Sequence, residues 1–281
     1  MHSRRTCCCM LALFLTRTNP VGAVSIRRNV TSKMSSSLSY HALDTVESTQ
    51  DTVRMLLHQN SVNTPFLAIS AKQQSQGRGT SGRIWKGITG NVFLTVAFSM
   101  DRVPVSVTLL PLQVGILIAT TLQQVLTKIC HGSTATIRLK WPNDVLVNQK
   151  KVAGVLIESE LVNDTTYLLV GIGINIQQAP QITSNEGRQA ACLQEFCTEK
   201  LPEQTAEIVA ADLANHLVEW MEADGRKDVI QEWKKWADFG TPQTLRDTGE
   251  RVVPLSIQED GQLRVRLENG QERLLVAEYL Y

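Results

Sequence analysis

Lys140-Trp141-Pro142-Asn143-Asp144, followed seven residues beyond Asp144 by Lys151-Val152-Ala153-Gly154, is the stretch on which the fold turns. Ile137 to Lys140 continuing into Asp144 to Val147 reads as one strand interrupted at Pro142, a residue that cannot donate to a sheet ladder. Lys151 to Leu161 and Thr166 to Ile176 read as the next two strands. A strand pair at this spacing sets the polar groups of the two segments side by side.

Working outward, Phe66 to Ala71 and Asn91 to Ser99 read as buried strands rich in Val, Phe, Leu and Thr, with a glycine-rich loop between them from Gly77 to Gly90. Ser48 and Thr49 are N-cap candidates for an amphipathic helix carrying Val53, Leu56 and Leu57. A longer helix spans about Leu109 to Ile129, where Ile118, Leu122, Val125 and Ile129 fall on the face that covers a sheet. Val209, Leu213, Leu217 and Trp220 mark a third helix from Ala206 to Met221. Val229, Trp233 and Trp236 mark a fourth, ending near Gly240. The tail from Thr241 to Tyr281 has short strands with turn signals at Glu259-Asp260-Gly261 and Asn269-Gly270, which predicts a small β-barrel appendage. Strands in the middle with helices packed on them make the chain an α+β protein.

At 281 residues and 43% hydrophobic, the chain is long enough for one sizeable domain with a small partner. A formal net charge of +1 gives no footprint for broad nucleic-acid binding, which needs a concentrated excess of Lys and Arg. Three of the six cysteines form the run Cys7, Cys8, Cys9, and Cys130, Cys192 and Cys197 are scattered without ligand spacing. They read as reduced, mostly structural thiols with no zinc site. His41, His58, His131 and His216 share no spacing and are assigned no metal or acid–base role.

Residues 1–39 carry Arg4, Arg5, Arg17, Arg27, Arg28 and Lys33 and no acid, a composition typical of targeting segments. The apolar run from Cys7 to Leu15 also resembles a signal h-region, but the basic residues continue well past it, which favours mitochondrial import. Met34 offers an internal start for a cytoplasmic form. The apolar run is too short for stable membrane insertion.

Three segments combine glycines with well-placed polar groups: Gln74 to Trp85, Lys140 to Gly154, and Gly171 to Asn175. The first, Gln74-Ser75-Gln76-Gly77-Arg78-Gly79-Thr80-Ser81-Gly82-Arg83-Ile84-Trp85, can present successive backbone N–H groups and two Arg side chains to an anion. It is neither a P-loop nor a Rossmann fingerprint. Singly, Lys140 and Lys151 read as solvated strand-end charges, Trp85 as core, and Gly171 and Gly173 as packing relief. Jointly they read as one site.

In their order and spacing, Ser48-Thr49, the Gln74 to Trp85 loop, KWPND, KVAG and Gly171-Ile172-Gly173-Ile174-Asn175 resemble the biotin protein ligases and holocarboxylase synthetases, over about Ser48 to Tyr281. The resemblance implies the class II synthetase-like biotin/lipoate ligase fold, a mixed, largely antiparallel central sheet flanked by helices with a small C-terminal SH3-like β-barrel. It divides the chain into a leader (1–39), a catalytic domain (40–239) and the C-terminal barrel (240–281). The implied activity is ATP-dependent formation of biotinyl-5'-AMP and transfer of biotin to a lysine of a carboxylase's biotin carboxyl carrier domain, with Mg²⁺ offsetting the triphosphate charge.

Carried over by position, Ser48, Thr49 and Gln74 meet the biotin ureido group, and Gly77, Arg78 and Gly79 form the loop that closes over the ligand. Lys151 and Gly154 also bind biotin, Lys151 bridging the biotin carboxylate and the α-phosphate, and Arg83 binds phosphate. Trp85 stacks on adenine, Asn143, Asn175, Gly171 and Gly173 complete the nucleotide side, and Asp144 orients the incoming amine, accepts its proton or holds a partner side chain. Lys151, Arg83 and Asp144 are thus the expected catalytic residues, and no metal ligand is assigned.

One departure stands out: many relatives have Arg after Gly-Arg-Gly, and this chain has Thr80. The competing functions are a lipoate protein ligase and a non-catalytic biotin-binding or sensor protein. The residues before Ser48 are too few for the winged helix of a ligase that doubles as a repressor. Both a monomer and a homodimer fit the resemblance.

Overall fold

In a computed structural model, the residues described are 34–59, 63–130, 133–181, 189–223, 228–245 and 248–276. The expected leader therefore lies outside the described residues except for 34–39, as does His131. The first strand among the described residues, β1 (Leu38–Val46), is not expected from the sequence and begins inside that leader. Its alternation is blurred because only Leu38 and Leu43 are buried. Ser35 is also tied in, its backbone N–H donating to Asn215 Oδ1 at 2.8 Å.

The chain continues through α1 (Thr49–His58), β2 (Phe66–Gln74), β3 (Val92–Ser99), α2 (Leu110–Lys128), β4 (Ile137–Lys140), β5 (Asp144–Val147), β6 (Lys150–Val162), β7 (Thr165–Ile174), α3 (Thr205–Glu222) and α4 (Val229–Lys234). Seven strands form one sheet in the order β1-β2-β3-β7-β6-β5-β4. Only β1 and β2 run parallel, joined by α1, and every other neighbouring pair is antiparallel. The sheet is thus mixed and largely antiparallel, as expected.

One expectation changes at Pro142. Ile137 to Val147 is not one interrupted strand but a tight hairpin, with Lys140 opposite Asp144 across the turn Trp141-Pro142-Asn143 and a cis peptide before Pro142. Proline has no N–H to continue a ladder, so the chain reverses there.

Residues two apart on a strand share a face. In β7, Leu168, Val170, Ile172 and Ile174 join the large core under α2 and α3, while Leu169 turns to a smaller core under α1 with Val53, Leu57, Leu67, Ile69 and Ala97. Each fully buried Leu or Ile of this kind contributes roughly 1.5–3 kcal/mol. Over Val107–Lys128 the chain is apolar enough to cross a membrane, but 72% of that window is buried, as a core helix hydrophobic on most sides should be.

α4 stops at Lys234, short of Gly240; Asp228 caps it, accepting from the Ile230 and Gln231 N–H groups at 3.0 and 3.2 Å. The tail forms β8 (Gln243–Thr244), β9 (Arg251–Ile257), β10 (Leu263–Leu267) and β11 (Glu272–Leu275), an antiparallel sheet in the order β11-β10-β9-β8 that fits an SH3-like domain. It meets the KWPND turn where the Trp141 indole donates to Gly261 O at 2.9 Å.

The cysteine expectation is also corrected. Cys130, just beyond α2, and Cys197 form a disulfide across 67 residues of sequence, and Cys192 is a buried free thiol. Sequence spacing carries no sign of the pair, because tertiary packing alone brings the two Cα atoms to 4.7 Å.

Candidate active site

On the α1 side of the sheet, where β7 and β6 would project side chains beside Leu169 and Leu156, stand Gly171, Gly173 and Gly154. Gly154 and Gly173 are register partners, and Gly171 pairs with Leu156 and Thr95. This floor without side chains opens a cavity of about 710 Å³. Its glycines are dictated by what lies on them. A Cβ at Gly173 would come within 2.4 Å of the Trp85 ring, and one at Gly171 within 2.8 Å of Gln50 Nε2.

Thr49 and Ser48 are buried at the start of α1 and line the cavity. Ser48 takes the extended N-cap conformation but makes no side-chain cap bond. Thr95 Oγ1 donates to Thr49 Oγ1 at 2.8 Å, and Thr49 Oγ1 and its backbone N–H donate to Gln74 Oε1 at 3.1 and 2.8 Å. With its oxygen so engaged, Gln74 presents its Nε2 donor group. Gln50, buried on the same helix end, donates from Nε2 to Leu156 O and Leu169 O at 3.1 and 3.3 Å.

Lys151 opens β6. The ladder shifts register between Val145 and Leu146, and the displaced segment is held from outside: Lys151 N–H donates to Gln189 O at 3.0 Å, and Ala191 N–H to Lys151 O at 2.9 Å. Its ammonium lies 2.5 Å from Asp144 Oδ1 and 5.5 Å from the centroid of the Trp85 ring. Both partners of this pair are mostly buried, with side chains 24% and 17% exposed. The Trp85 indole N–H is buried with no hydrogen-bond partner.

The loop above folds as a narrow hairpin. Trp85 N–H donates to Gly77 O at 2.8 Å and Gly79 N–H to Arg83 O at 2.7 Å, with Ser81 and Gly82 at positive φ at the tip. Gly77 is required by close approach, since a Cβ there would lie 2.4 Å from Trp85 O. Neither arginine points a free fork into the cavity. Arg83 donates to Thr80 O and Thr80 Oγ1 at 3.0 and 2.7 Å, and Arg78 grips Asp51 through two bonds of 2.6 and 2.8 Å. That fork holds the Asp51 carboxyl below the ordinary carboxylate range, and Asp51 and Glu158 in turn raise Arg78.

Ser48, Thr49, Gln74, Arg78, Gly79, Arg83, Trp85, Asn143, Lys151, Gly154, Gly171, Gly173 and Asn175 therefore line one cavity. Gly77 and Asp144 stand behind it, under the loop and behind Lys151. The amides of Asn143 and Asn175 are committed to backbone, Asn143 Nδ2 to Val155 O at 2.8 Å and Asn175 Nδ2 to Ala191 O at 3.1 Å.

A model of the biotin/lipoate A/B protein ligase family matches residues 42–175. A bifunctional ligase/repressor BirA of Bacillus subtilis is 32% identical over 163 residues, 57% of this chain and 47% of its own length. The chain spans about half the length of that relative. The solved biotin protein ligase of Leishmania major in complex with biotin is similar over 85% of this chain and 98% of that one, at 30% identity and a TM-score of 0.62. The chain belongs to the biotin protein ligase family. The Aquifex aeolicus biotin protein ligase in complex with biotin and ATP is also similar, at 25% identity, 85% and 96% coverage and a TM-score of 0.64.

In this biotin protein ligase family member, sequence reasoning overlooked Gln50, Asp51, Thr95 and Gly87. Thr95 is a lone hydroxyl in the apolar run Phe93 to Ala97, and Gln50 directly follows the Ser48-Thr49 pair; both signals were legible. Gly87, where a Cβ would meet Gln74 O, is visible only in three dimensions. Among the described residues, no group of three or more His, Cys, Asp or Glu could hold a metal ion. A dedicated all-protein cage for Mg²⁺ is therefore not formed by the described residues, which leaves an ion held largely by a nucleotide's phosphates.

Proposed function

We propose that the chain is a biotin protein ligase, which joins biotin to ATP as biotinyl-5'-AMP and then passes biotin to a lysine of a biotin carboxyl carrier domain. The observation that carries this is the convergence of a hydroxyl and amide relay, a glycine floor and the Lys151–Asp144 pair on one cavity. An uncharged bicyclic ureido ring needs fixed donors and acceptors within a mostly apolar pocket, and the Thr95–Thr49–Gln74 relay supplies them. Activation of a carboxylate needs a cation where two anions meet, and Lys151 supplies it.

In the first step a biotin carboxylate oxygen bonds to the α-phosphorus as the bond to pyrophosphate breaks. In the second, the acceptor amine attacks the acyl carbon, the bond to AMP breaks and the amine loses a proton. Lys151 is the group that meets the reacting carboxylate and phosphate; Arg83 reaches phosphate only by exchanging its bonds to Thr80 for it, and Asp144 acts through Lys151 as a positioning residue. Magnesium enters with the substrate, as the counter-ion of the nucleotide's phosphates. The Trp85 indole beside Gly173 offers a face for adenine. The basic, acid-free composition of residues 1–33 supports import into mitochondria, with a start at Met34 giving a cytoplasmic form.

The decisive experiment incubates the purified protein with MgATP, biotin and a carrier domain. Label on the carrier lysine supports the reading, and none overturns it. ATP–pyrophosphate exchange with biotin but not lipoate separates it from a lipoate ligase. Turnover lost in Lys151→Ala separates it from a mere biotin binder.

A further inference from the structure

Asp51 sits between two cations of different character. Arg54, one turn along α1, is fixed from three sides: Nη1 to Asp51 Oδ1 at 2.7 Å, Nη2 to Glu158 Oε2 at 2.6 Å and Nε to Glu160 Oε2 at 2.8 Å. Arg78 belongs to the loop, and its remaining tie is a 3.4 Å contact with Glu158. The loop is joined to itself chiefly by the rungs at Gly77/Trp85 and Gly79/Arg83, so the Arg78 fork is its main ionic anchor on α1. If Arg78 departs, Asp51 keeps Arg54 as a partner, and no carboxylate of the cluster is left without a cation. The Asp51–Arg78 pair, 43% and 37% exposed, is thus an exchangeable contact rather than a buried structural one.

We propose that Asp51 competes with the anionic end of the substrate for the Arg78 fork, so that the enzyme carries its own carboxylate rival and Asp51 sets ligand affinity. Asp51 is a positioning residue, acting on the ligand only through Arg78. The proposal rests on the ligase reading, which makes Arg78 a ligand-facing group. Two anions could take the fork, the carboxylate of biotin or a phosphate of the nucleotide, since a guanidinium matches both.

The test is isothermal titration of the full chain with biotin, with biotin methyl ester and with ATP, in wild type, Asp51→Asn, Arg78→Ala and the double variant. Asp51→Asn is expected to tighten binding about fivefold, the ratio equivalent to ~1 kcal/mol for one exposed ion pair. A gain for biotin but not its ester assigns the fork to the carboxylate; a gain for ATP assigns it to phosphate. With Arg78→Ala the gain should vanish, and Glu160→Gln, which removes a charge touching Arg54 and His58 only, should give none. Unchanged or weaker binding in Asp51→Asn overturns the proposal, as does an equal gain in the Arg78→Ala background or in Glu160→Gln. Should Asp51→Asn lose its helical circular dichroism, Asp51→Ser is read in its place. A wild type that binds neither biotin nor ATP overturns the ligase reading and this proposal with it, whereas normal wild-type binding with an inert Asp51→Asn overturns this proposal alone.

Discussion

The Lys151 ammonium is held between the Asp144 carboxylate, 2.5 Å away, and the face of the Trp85 ring, 5.5 Å from its centroid. One strand end, one turn and one loop therefore fix a single positive charge at the cavity wall. Lys151→Ala should lower the rate of adenylate formation by about 10²–10³-fold, the usual cost of removing one donor aimed at developing charge. Lys151→Arg should recover little of it, because a planar fork cannot take the place of a compact ammonium between a carboxylate and a ring. Pyrophosphate exchange measures both.

Gly173 and Gly154 face each other in register but differ in tolerance. A Cβ at Gly173 would lie 2.4 Å from the Trp85 ring, while one at Gly154 meets its nearest neighbours at 3.2 Å. Gly173→Ala should expel the indole, weakening ATP binding at least tenfold and costing about 1–3 kcal/mol of stability by overpacking. Gly154→Ala should do markedly less. Tryptophan fluorescence and nucleotide titration compare them, and equal effects would refute the assignment of Gly173 to the Trp85 seat.

Thr80 holds Arg83 within the loop itself, accepting at both its hydroxyl and its carbonyl. An arginine at this position, as the resemblance to the family implies for many members, would give the loop one more positive charge. Thr80→Arg should slow release of the adenylate several-fold in a rapid-dilution assay. Equal release rates in the two proteins would dispose of the idea.

Asp51 and Glu160 are both held below the ordinary carboxylate range, Asp51 mainly by Arg78 and Glu160 mainly by His58. A carboxyl whose pKa falls on folding stabilises the fold above its unfolded pKa and ceases to do so as pH falls through the folded one. Melting temperature should thus hold at pH 6 to 5 and decline below about pH 4. Glu160→Gln should make that acid limb shallower. An identical acid limb would show that the α1 network contributes nothing to it.

The Cys130–Cys197 disulfide ties the end of α2 to the segment whose backbone braces Lys151 and Asn175. Reduction, or Cys130→Ser, should lower stability by about 2–4 kcal/mol, while Cys192→Ser should not act by this route. Mass spectrometry of the unreduced protein with thermal melts checks the pairing.

The major helices and most strands were legible because their apolar residues keep a period of 3.6 or 2. What escaped lacks such a period or is set by distant contacts. β1 buries only Leu38 and Leu43 and borrows its order from β2 and α3. The Pro142 hairpin hides within a run that alternates like a single strand. At the site, Lys151, Gln74 and Arg83 stood out only through the joint pattern of the three segments and its resemblance to a known family, whereas Asp51 reads as ordinary helix surface until the sheet is placed beneath it.

Because Gly154, Gly171 and Gly173 are peptide groups in a hydrogen-bonded ladder, the base of the cavity has no rotamers. A pocket bounded by side chains can reshape itself around a larger guest. This floor can yield only where the sheet itself yields, which is a cooperative and therefore costly event. The shape of the cavity's base is thus a property of the backbone here, and enlarging the cavity would require re-engineering the loop above rather than the floor below.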